Sequence, residues 1–412
     1  MQAENNKNDI KTLSFGCRLN SLESEKIQSM LNGAINTAIV INTCAVTAEG
    51  ERQSGQAVRK VARENPNAPI FVTGCAATRN PGLFLDIPNT FVIPNSEKMR
   101  LSAYTDALAA AQCQIATPEI TKFNHYNQRM SKQFIQVQNG CNHKCAYCVT
   151  RLLRGPAQSF DYNDILNDAK SAIKNGFSEI VLTGVDIASY ARDGILISDV
   201  CRNLLRDVPG IQRLRLSSMD PASPEIFKIM DLMETDSRMM RHMHLSMQSG
   251  CDTILRAMGR RHTRETVRKI AARGTELGVT FSWDIICGFP GETPELWDET
   301  MELVAATRPI KVHAFPFSPR PGTPAADMPN QVPRNISKDR VKEISDRTEQ
   351  IRAEFMQQRR GCVAQVLVEE NNIARDEHDI TVRISGATVP ARTVCNVTLA
   401  NIIRDEFTGA IA

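Results

Sequence analysis

The sequence predicts an α/β protein in three parts. An N-terminal parallel sheet flanked by helices comes first. A central set of βα units then forms a partial or full barrel, and a small β-barrel ends the chain. Three observations carry this. Residues 38–43 and 69–74 are short, apolar, β-branched runs of the kind that form buried parallel strands, with helical stretches at 22–32 and 50–63. Strand-like runs at 134–138, 179–183, 213–217, 242–247, 280–287 and 310–317 alternate with amphipathic stretches such as 163–175 and 264–278. After a charged helix at 349–360 and a glycine stop at Gly361, short β-rich runs at 362–369, 379–384 and 393–403 fit a five-stranded barrel. The parts are expected at 1–120, 127–358 and 361–412.

Composition narrows the class. At 412 residues and 42% hydrophobic, two or three domains with ordinary cores are expected. No apolar run approaches the roughly 20 residues of a membrane span, and residues 1–11 carry no apolar signal core, so a cytoplasmic protein is expected. Twelve cysteines there point to metal or catalysis rather than disulfides. The net charge of +3 (49 Lys and Arg against 46 Asp and Glu) neither demands nor excludes nucleic acid.

Within the first 120 residues, Cys17, Cys44 and Cys75 each follow a strand-like run, and Cys17 and Cys75 follow a glycine. They stand 27 and 31 residues apart, about one βα unit each. The carboxyl ends of parallel strands share one sheet edge, where ligands bind, so the three thiols are expected to converge there as a three-thiolate metal site. Buried cysteines packing as small apolar groups are the plainer alternative. Cys113, Cys201, Cys251, Cys287, Cys362 and Cys395 share no register and read as packing residues.

The stretch Cys141-Asn-His-Lys-Cys145-Ala-Tyr-Cys148 is a C-x3-C-x2-C run. Three thiolates so close can hold three irons of a [4Fe-4S] cluster and leave the fourth open to a small molecule. Structural zinc wants four protein ligands, and His143 sits where the loop has little slack to supply one. Thr183, Asp186, Ser217, Ser218, Gln248 and Asp284 are polar residues at strand ends; any one of them could be a loop cap. His242, His244, His262 and His313 read as polar or packed histidines rather than metal ligands. Arg260, Arg261 and Arg264, with Arg268 and Lys269, form a basic cluster that suits either a solvated face or nucleic-acid phosphates. Segment 361–412 has a net charge of −3 (four arginines against seven acids) and one aromatic residue, which argues against strong RNA binding by it alone.

These motifs resemble one family over almost the whole chain. The spacing of Cys141, Cys145 and Cys148 resembles the radical SAM (S-adenosylmethionine) signature. Gly16-Cys17-Arg18-Leu19-Asn20, Asn42-Thr43-Cys44 and Thr73-Gly74-Cys75 resemble the N-terminal domain of the methylthiotransferases. Arg154-Gly155, the Leu182-Thr183-Gly184-Val185 run, His244 to Gly250, Asp284 to Thr293 and Phe315 to Met328 are similar to later motifs of that family, and the C-terminal barrel is similar to a TRAM domain. Arg18-Leu19 and the block around Arg320 most resemble the branch acting on threonylcarbamoyl-adenosine. Arg151, where the family often has proline, Asp186, where it often has asparagine, and the short acidic barrel are departures.

The resemblance implies a radical SAM enzyme that inserts a methylthio group at C2 of threonylcarbamoyl-adenosine at position 37 of tRNA. It implies two [4Fe-4S] clusters: one on Cys141, Cys145 and Cys148 that binds SAM and yields the 5′-deoxyadenosyl radical, and one on Cys17, Cys44 and Cys75 that presents sulfur. A second SAM supplies the methyl group. Thr183, Ser217, Gln248 and Asp284 are the expected SAM contacts. The partners implied are tRNA, an external electron donor and a sulfur source, with no membrane; oligomeric state is unreadable. The alternatives are a methylthiotransferase acting on isopentenyl-adenosine of tRNA or on a ribosomal protein aspartate. From another class, a non-catalytic RNA-binding protein with a structural metal competes.

Overall fold

A computed structural model describes residues 9–110 and 131–412, so Cys113 lies outside the described residues. The chain divides into two compact units. Of the described residues, the first holds 9–110, 140–143 and 148–156; the second holds 131–139, 144–147 and 157–412.

The first unit comprises β1 (Asp9–Ser14), α1 (Arg18–Leu31), β2 (Thr37–Thr43), α2 (Ala48–Glu64), β3 (Ile70–Gly74), α3 (Cys75–Arg79), α4 (Gly82–Leu85), β4 (Thr90–Val92), α5 (Leu101–Ala110) and α6 (Thr150–Arg154). Its sheet runs β1-β2-β3-β4 with every pair parallel. The near-continuous apolar character of β2 and β3 follows from burial on both faces. Ile39, Ile41 and Val72 pack with Val58 and Val61, while Val40 and Phe71 pack with Ile27, Leu31 and Tyr104.

The second unit holds β5 (Gln133–Gln136), β6 (Gln138–Asn139), β7 (Gln158–Ser159), α7 (Tyr162–Lys174), β8 (Glu179–Thr183), β9 (Ala191–Arg192), β10 (Ile195–Leu196), α8 (Ile197–Asp207), β11 (Arg213–Leu216) and α9 (Glu225–Thr235). It continues with β12 (His242–Gln248), α10 (Asp252–Ala257), α11 (Arg264–Leu277), β13 (Thr280–Cys287), α12 (Pro294–Thr307), β14 (Lys311–Pro316) and α13 (Arg334–Gln358). Two parallel sheets, β11-β8-β5 and β12-β13-β14, are joined by parallel bridges at Leu214–Met239 and Met219–Leu245. Among the described residues the barrel is therefore partial, with six strands. Along β12 and β13 one face, Met243, Leu245, Met247, Phe281, Trp283 and Ile285, enters the apolar core. The opposite face carries His242, His244, Ser246, Gln248, Ser282 and Asp284.

Strands β15 (Val363–Val368), β16 (Ile373–Arg375), β17 (Thr381–Ser385), β18 (Val394–Ile403) and β19 (Glu406–Ile411) close a five-stranded barrel around Val366, Val382, Leu399 and Phe407. The negative charge of this segment has a structural use. Asp376, Glu377 and Asp379 lie in the β16–β17 loop, which docks on residues at the amino ends of β8 and β11. Glu179 accepts from Arg213 at 2.6 Å and from Arg215 at 3.0 Å, and the two guanidiniums donate onward to the carbonyl of Asp376. Lys132 approaches Asp379 at 3.5 Å, and Arg359 pairs with Asp376 and Glu377.

Two expectations need correction. The helix expected from residue 349 begins at Arg334, because half of its buried face is polar (Ser337, Arg340, Thr348 beside Ile344, Ile351 and Met356) and hides the period. Cys362 is exposed rather than packed, whereas Cys201, Cys251 and Cys287 are buried. Among the described residues no helix is long and apolar enough to cross a membrane.

Candidate functional site

In the first unit the three upstream cysteines stand just past the carboxyl ends of β1, β2 and β3, Cys17 as the N-cap of α1 and Cys75 as the first residue of α3. Buried asparagines staple the turns. Asn20 donates to the carbonyls of Phe15 (2.8 Å) and Thr43 (3.1 Å), and Asn42 donates to the carbonyl of Asn20 at 2.9 Å. Glycine is required where the backbone closes on the thiols. Gly16 has φ +85°, and a Cβ there would stand 2.5 Å from Cys44 Sγ. Gly74 has φ +95°, and a Cβ there would meet Asn42 Oδ1 and the Thr43 carbonyl at 2.4 Å. Burial pushes the Cys44 thiol up, and Cys17 and Cys75 are near enough to push the same way. Three soft thiols past the ends of neighbouring strands, within electrostatic reach of one another and with Gly16 leaving room beside Cys44 Sγ, fit an iron–sulfur cluster.

Gly74→Ala is expected to destabilise the protein by on the order of 1–3 kcal/mol, since its backbone conformation is essentially reserved for glycine. Urea unfolding at constant m-value checks this, and an unchanged midpoint would refute it.

Cys141 and Cys148 belong to the first unit and Cys145 to the second. The His143 and Thr150 backbone amides each donate to a thiol, Cys141 Sγ and Cys148 Sγ, at 3.4 Å. Gly140 lets the chain turn tightly: its φ is +68°, and a Cβ would stand 1.9 Å from the Pro156 carbonyl oxygen. In the second unit Arg260 donates to Cys145 Sγ at 3.7 Å and is anchored by Asp220 (2.9 Å) and the Ser246 carbonyl (2.8 Å). Amide and guanidinium donors aimed at sulfur stabilise thiolates.

The basic cluster divides: Arg261, Arg268 and Lys269 are exposed, as on a solvated face, whereas Arg260 is drawn into the fold. Arg260 turns inward, Arg261 pairs with Asp220, and Arg264 pairs with Glu299 and Glu302. Its role beside Cys145 was not readable from sequence, because 115 residues separate the two.

The second unit places the four expected SAM contacts on the barrel strands. Thr183 ends β8, and Ser217 follows β11, its amide donating to the Leu182 carbonyl at 2.9 Å. The Ser217 and Ser218 hydroxyls are buried with no hydrogen-bond partner among the described residues, so each can take a ligand. Gln248 closes β12 at a register shift with φ +70°, a left-handed conformation uncommon outside glycine and a mark of a functional bend. Asp284 lies deeper, midway along β13, where Oδ2 bonds His244 at 2.9 Å. His244 bonds Ser282, Ser282 bonds His242, and His242 bonds Thr280, an internal polar ladder with links of 2.8–3.0 Å. Desolvation holds His242 neutral, its pKa well below the usual range.

A half-open parallel barrel with polar strand ends and a three-cysteine loop defines a radical SAM protein, and the Radical SAM superfamily profile matches residues 135–304. The profile described as uncharacterized protein family UPF0004 matches residues 9–93. The threonylcarbamoyladenosine tRNA methylthiotransferase MtaB of Rickettsia prowazekii is 37% identical over 387 residues, covering 90% of each chain. The tRNA-2-methylthio-N(6)-dimethylallyladenosine synthase of Burkholderia mallei is 30% identical, covering 87% of this chain and 84% of its own. Among solved structures, the radical S-adenosylmethionine methyltransferase TsrM of Kitasatospora setae superposes with a TM-score of 0.58 at 13% identity, covering 78% of this chain and 77% of that one, a likeness of fold. The chain belongs to the radical SAM methylthiotransferase family, among its MtaB-type tRNA-modifying enzymes.

Proposed function

We propose that this enzyme inserts a methylthio group at C2 of threonylcarbamoyl-adenosine at position 37 of tRNA, with two [4Fe-4S] clusters and SAM. The carrying observation is the convergence of Cys17, Cys44 and Cys75 at one sheet edge, in addition to the C-x3-C-x2-C loop. When bound, the loop's cluster and SAM supply radical chemistry, and the second cluster supplies sulfur.

The chain's own residues hold and orient these groups. Cys141, Cys145 and Cys148 are the ligands of the first cluster, and the His143 and Thr150 amides and Arg260 donate hydrogen bonds to their sulfurs. Thr183 and the hydroxyls of Ser217 and Ser218 offer hydrogen bonds to SAM. Asp284 is held in one orientation by His244, and the strand register shifts just before Gln248. Cys17, Cys44 and Cys75 are the ligands of the second cluster.

The Rickettsia relative, at 37% identity, supports the threonylcarbamoyl branch, while the MtaB of Bacillus subtilis and the Burkholderia enzyme are both 30% identical. The enzyme works in the cytoplasm with an external electron donor and sulfur source. Mass spectrometry of tRNA nucleosides from cells lacking the protein tests the reading. Loss of the methylthio form of threonylcarbamoyl-adenosine is expected; its persistence with loss of the isopentenyl counterpart would reassign the branch.

A further inference from the structure

Beside the upstream cysteines, the first unit buries three charged side chains on one another. Glu23 and Lys98 are 3% and 2% exposed, and the Arg154 side chain is 3% exposed. Glu23 takes Arg154 at 2.8 Å on one oxygen and Lys98 at 2.6 Å on the other. Arg154 also donates to Asn20 Oδ1 at 2.6 Å. Lys98 donates to Asn95 Oδ1 at 2.9 Å, and Asn95 Nδ2 points at Cys75 Sγ at 3.7 Å while bonding the Leu153 carbonyl at 3.0 Å.

Lys98 and Arg154 are buried cations held on one carboxylate, and buried positive charge favours a nearby anion. Arg154 is close enough to act on the thiols of Cys17, Cys44 and Cys75, and Lys98 on that of Cys75. A thiolate-bound cluster at that edge would be such an anion, and it would become more negative on reduction.

We propose that Asn95, Lys98 and Arg154, held in place by Glu23, set the reduction potential of the cluster on Cys17, Cys44 and Cys75. Asn95 acts as an N–H donor to Cys75 sulfur, and the two cations act as a buried positive field. Both effects favour the reduced cluster and raise its potential. This inference rests on the two-cluster reading above.

The test uses the full chain carrying Cys141→Ala, Cys145→Ala and Cys148→Ala, so that only the second cluster remains. After anaerobic reconstitution, iron per chain is counted and the midpoint is read by EPR-monitored redox titration. Lys98→Met and Asn95→Ala are expected to move the midpoint to more negative potential, and Glu23→Gln to more positive potential. Lys98→Arg should restore the parental value. Opposite signs from Lys98→Met and Glu23→Gln, which break the same ion pair, would not follow from lost packing alone. Equal midpoints in all variants with iron retained, or a shift of one sign in all of them, would overturn the inference. A triple-cysteine parent that takes up no iron would overturn the two-cluster reading itself.

Discussion

Replacing Glu179 by alanine is expected to cost about 3–5 kcal/mol, because it strands two buried guanidiniums. Arg213 and Glu179 are both 0% exposed, and Arg215 is 5% exposed. Each arginine would keep its bonds to the C-terminal barrel, Arg213 to the carbonyls of Gln365 and Asp376 and Arg215 to that of Asp376, but would lose its carboxylate. The strand ends and the docked barrel should therefore loosen together. Urea unfolding at pH 7 should show the full loss, and a change below about 1 kcal/mol would mean that water already compensates the network.

The same carboxylate predicts an acid limit. Burial alone would raise the pKa of Glu179, but Arg215, Arg213 and Lys132 together bring it from an ordinary 4.5 down to about 2. A depressed folded pKa means that the contribution is complete above the unfolded value and fades as pH falls through the interval from 4.5 toward about 2. Stability of the wild type should fall over that interval. The Glu179→Gln variant should be less stable at pH 7 and should lose this component of the slope.

The Cys141→Ala/Cys145→Ala/Cys148→Ala variant is expected to lose reductive SAM cleavage entirely and to retain roughly four irons per chain of about eight. The Cys17→Ala/Cys44→Ala/Cys75→Ala variant should keep SAM cleavage, retain the other half of the iron and form no methylthio product. The two triples thus separate radical generation from sulfur supply. Release of 5′-deoxyadenosine by the first variant would refute its assignment, and methylthiolated tRNA from the second would refute the other. Side chains at Gly16 and Gly74 would enter the space that Cys44 and the Asn42 staple occupy.

Much of the fold was legible in local pattern. Strands β8 and β13 match their expected bounds because both are flanked by clear turn or helix signals. The alternation His-Met-His-Leu-Ser-Met-Gln in β12 displays one polar and one apolar face, although only its neighbour β13 shows that the polar face forms a ladder ending at Asp284. The sequence pattern marks only the later part of helix α13, since its buried Arg340 is accounted for by Glu292, a partner 48 residues away. The acidity of the last segment argued against RNA on composition alone. Three of its seven acids instead pair with Arg359 or Lys132, while Arg213 and Arg215 take the Asp376 backbone carbonyl.

The sequence by itself determined which residues are offered as ligands. Cysteine spacing, the glycines before Cys17 and Cys75 and the βα rhythm point to iron–sulfur binding at strand ends, because ligand type and backbone freedom are local properties. Only the tertiary structure decided what surrounds the sulfur. Asn95 and Arg154 reach the upstream cysteines, and Arg260 reaches Cys145, from positions tens of residues away. Such contacts depend on how strands and helices pack, and no pattern within a strand or loop encodes them.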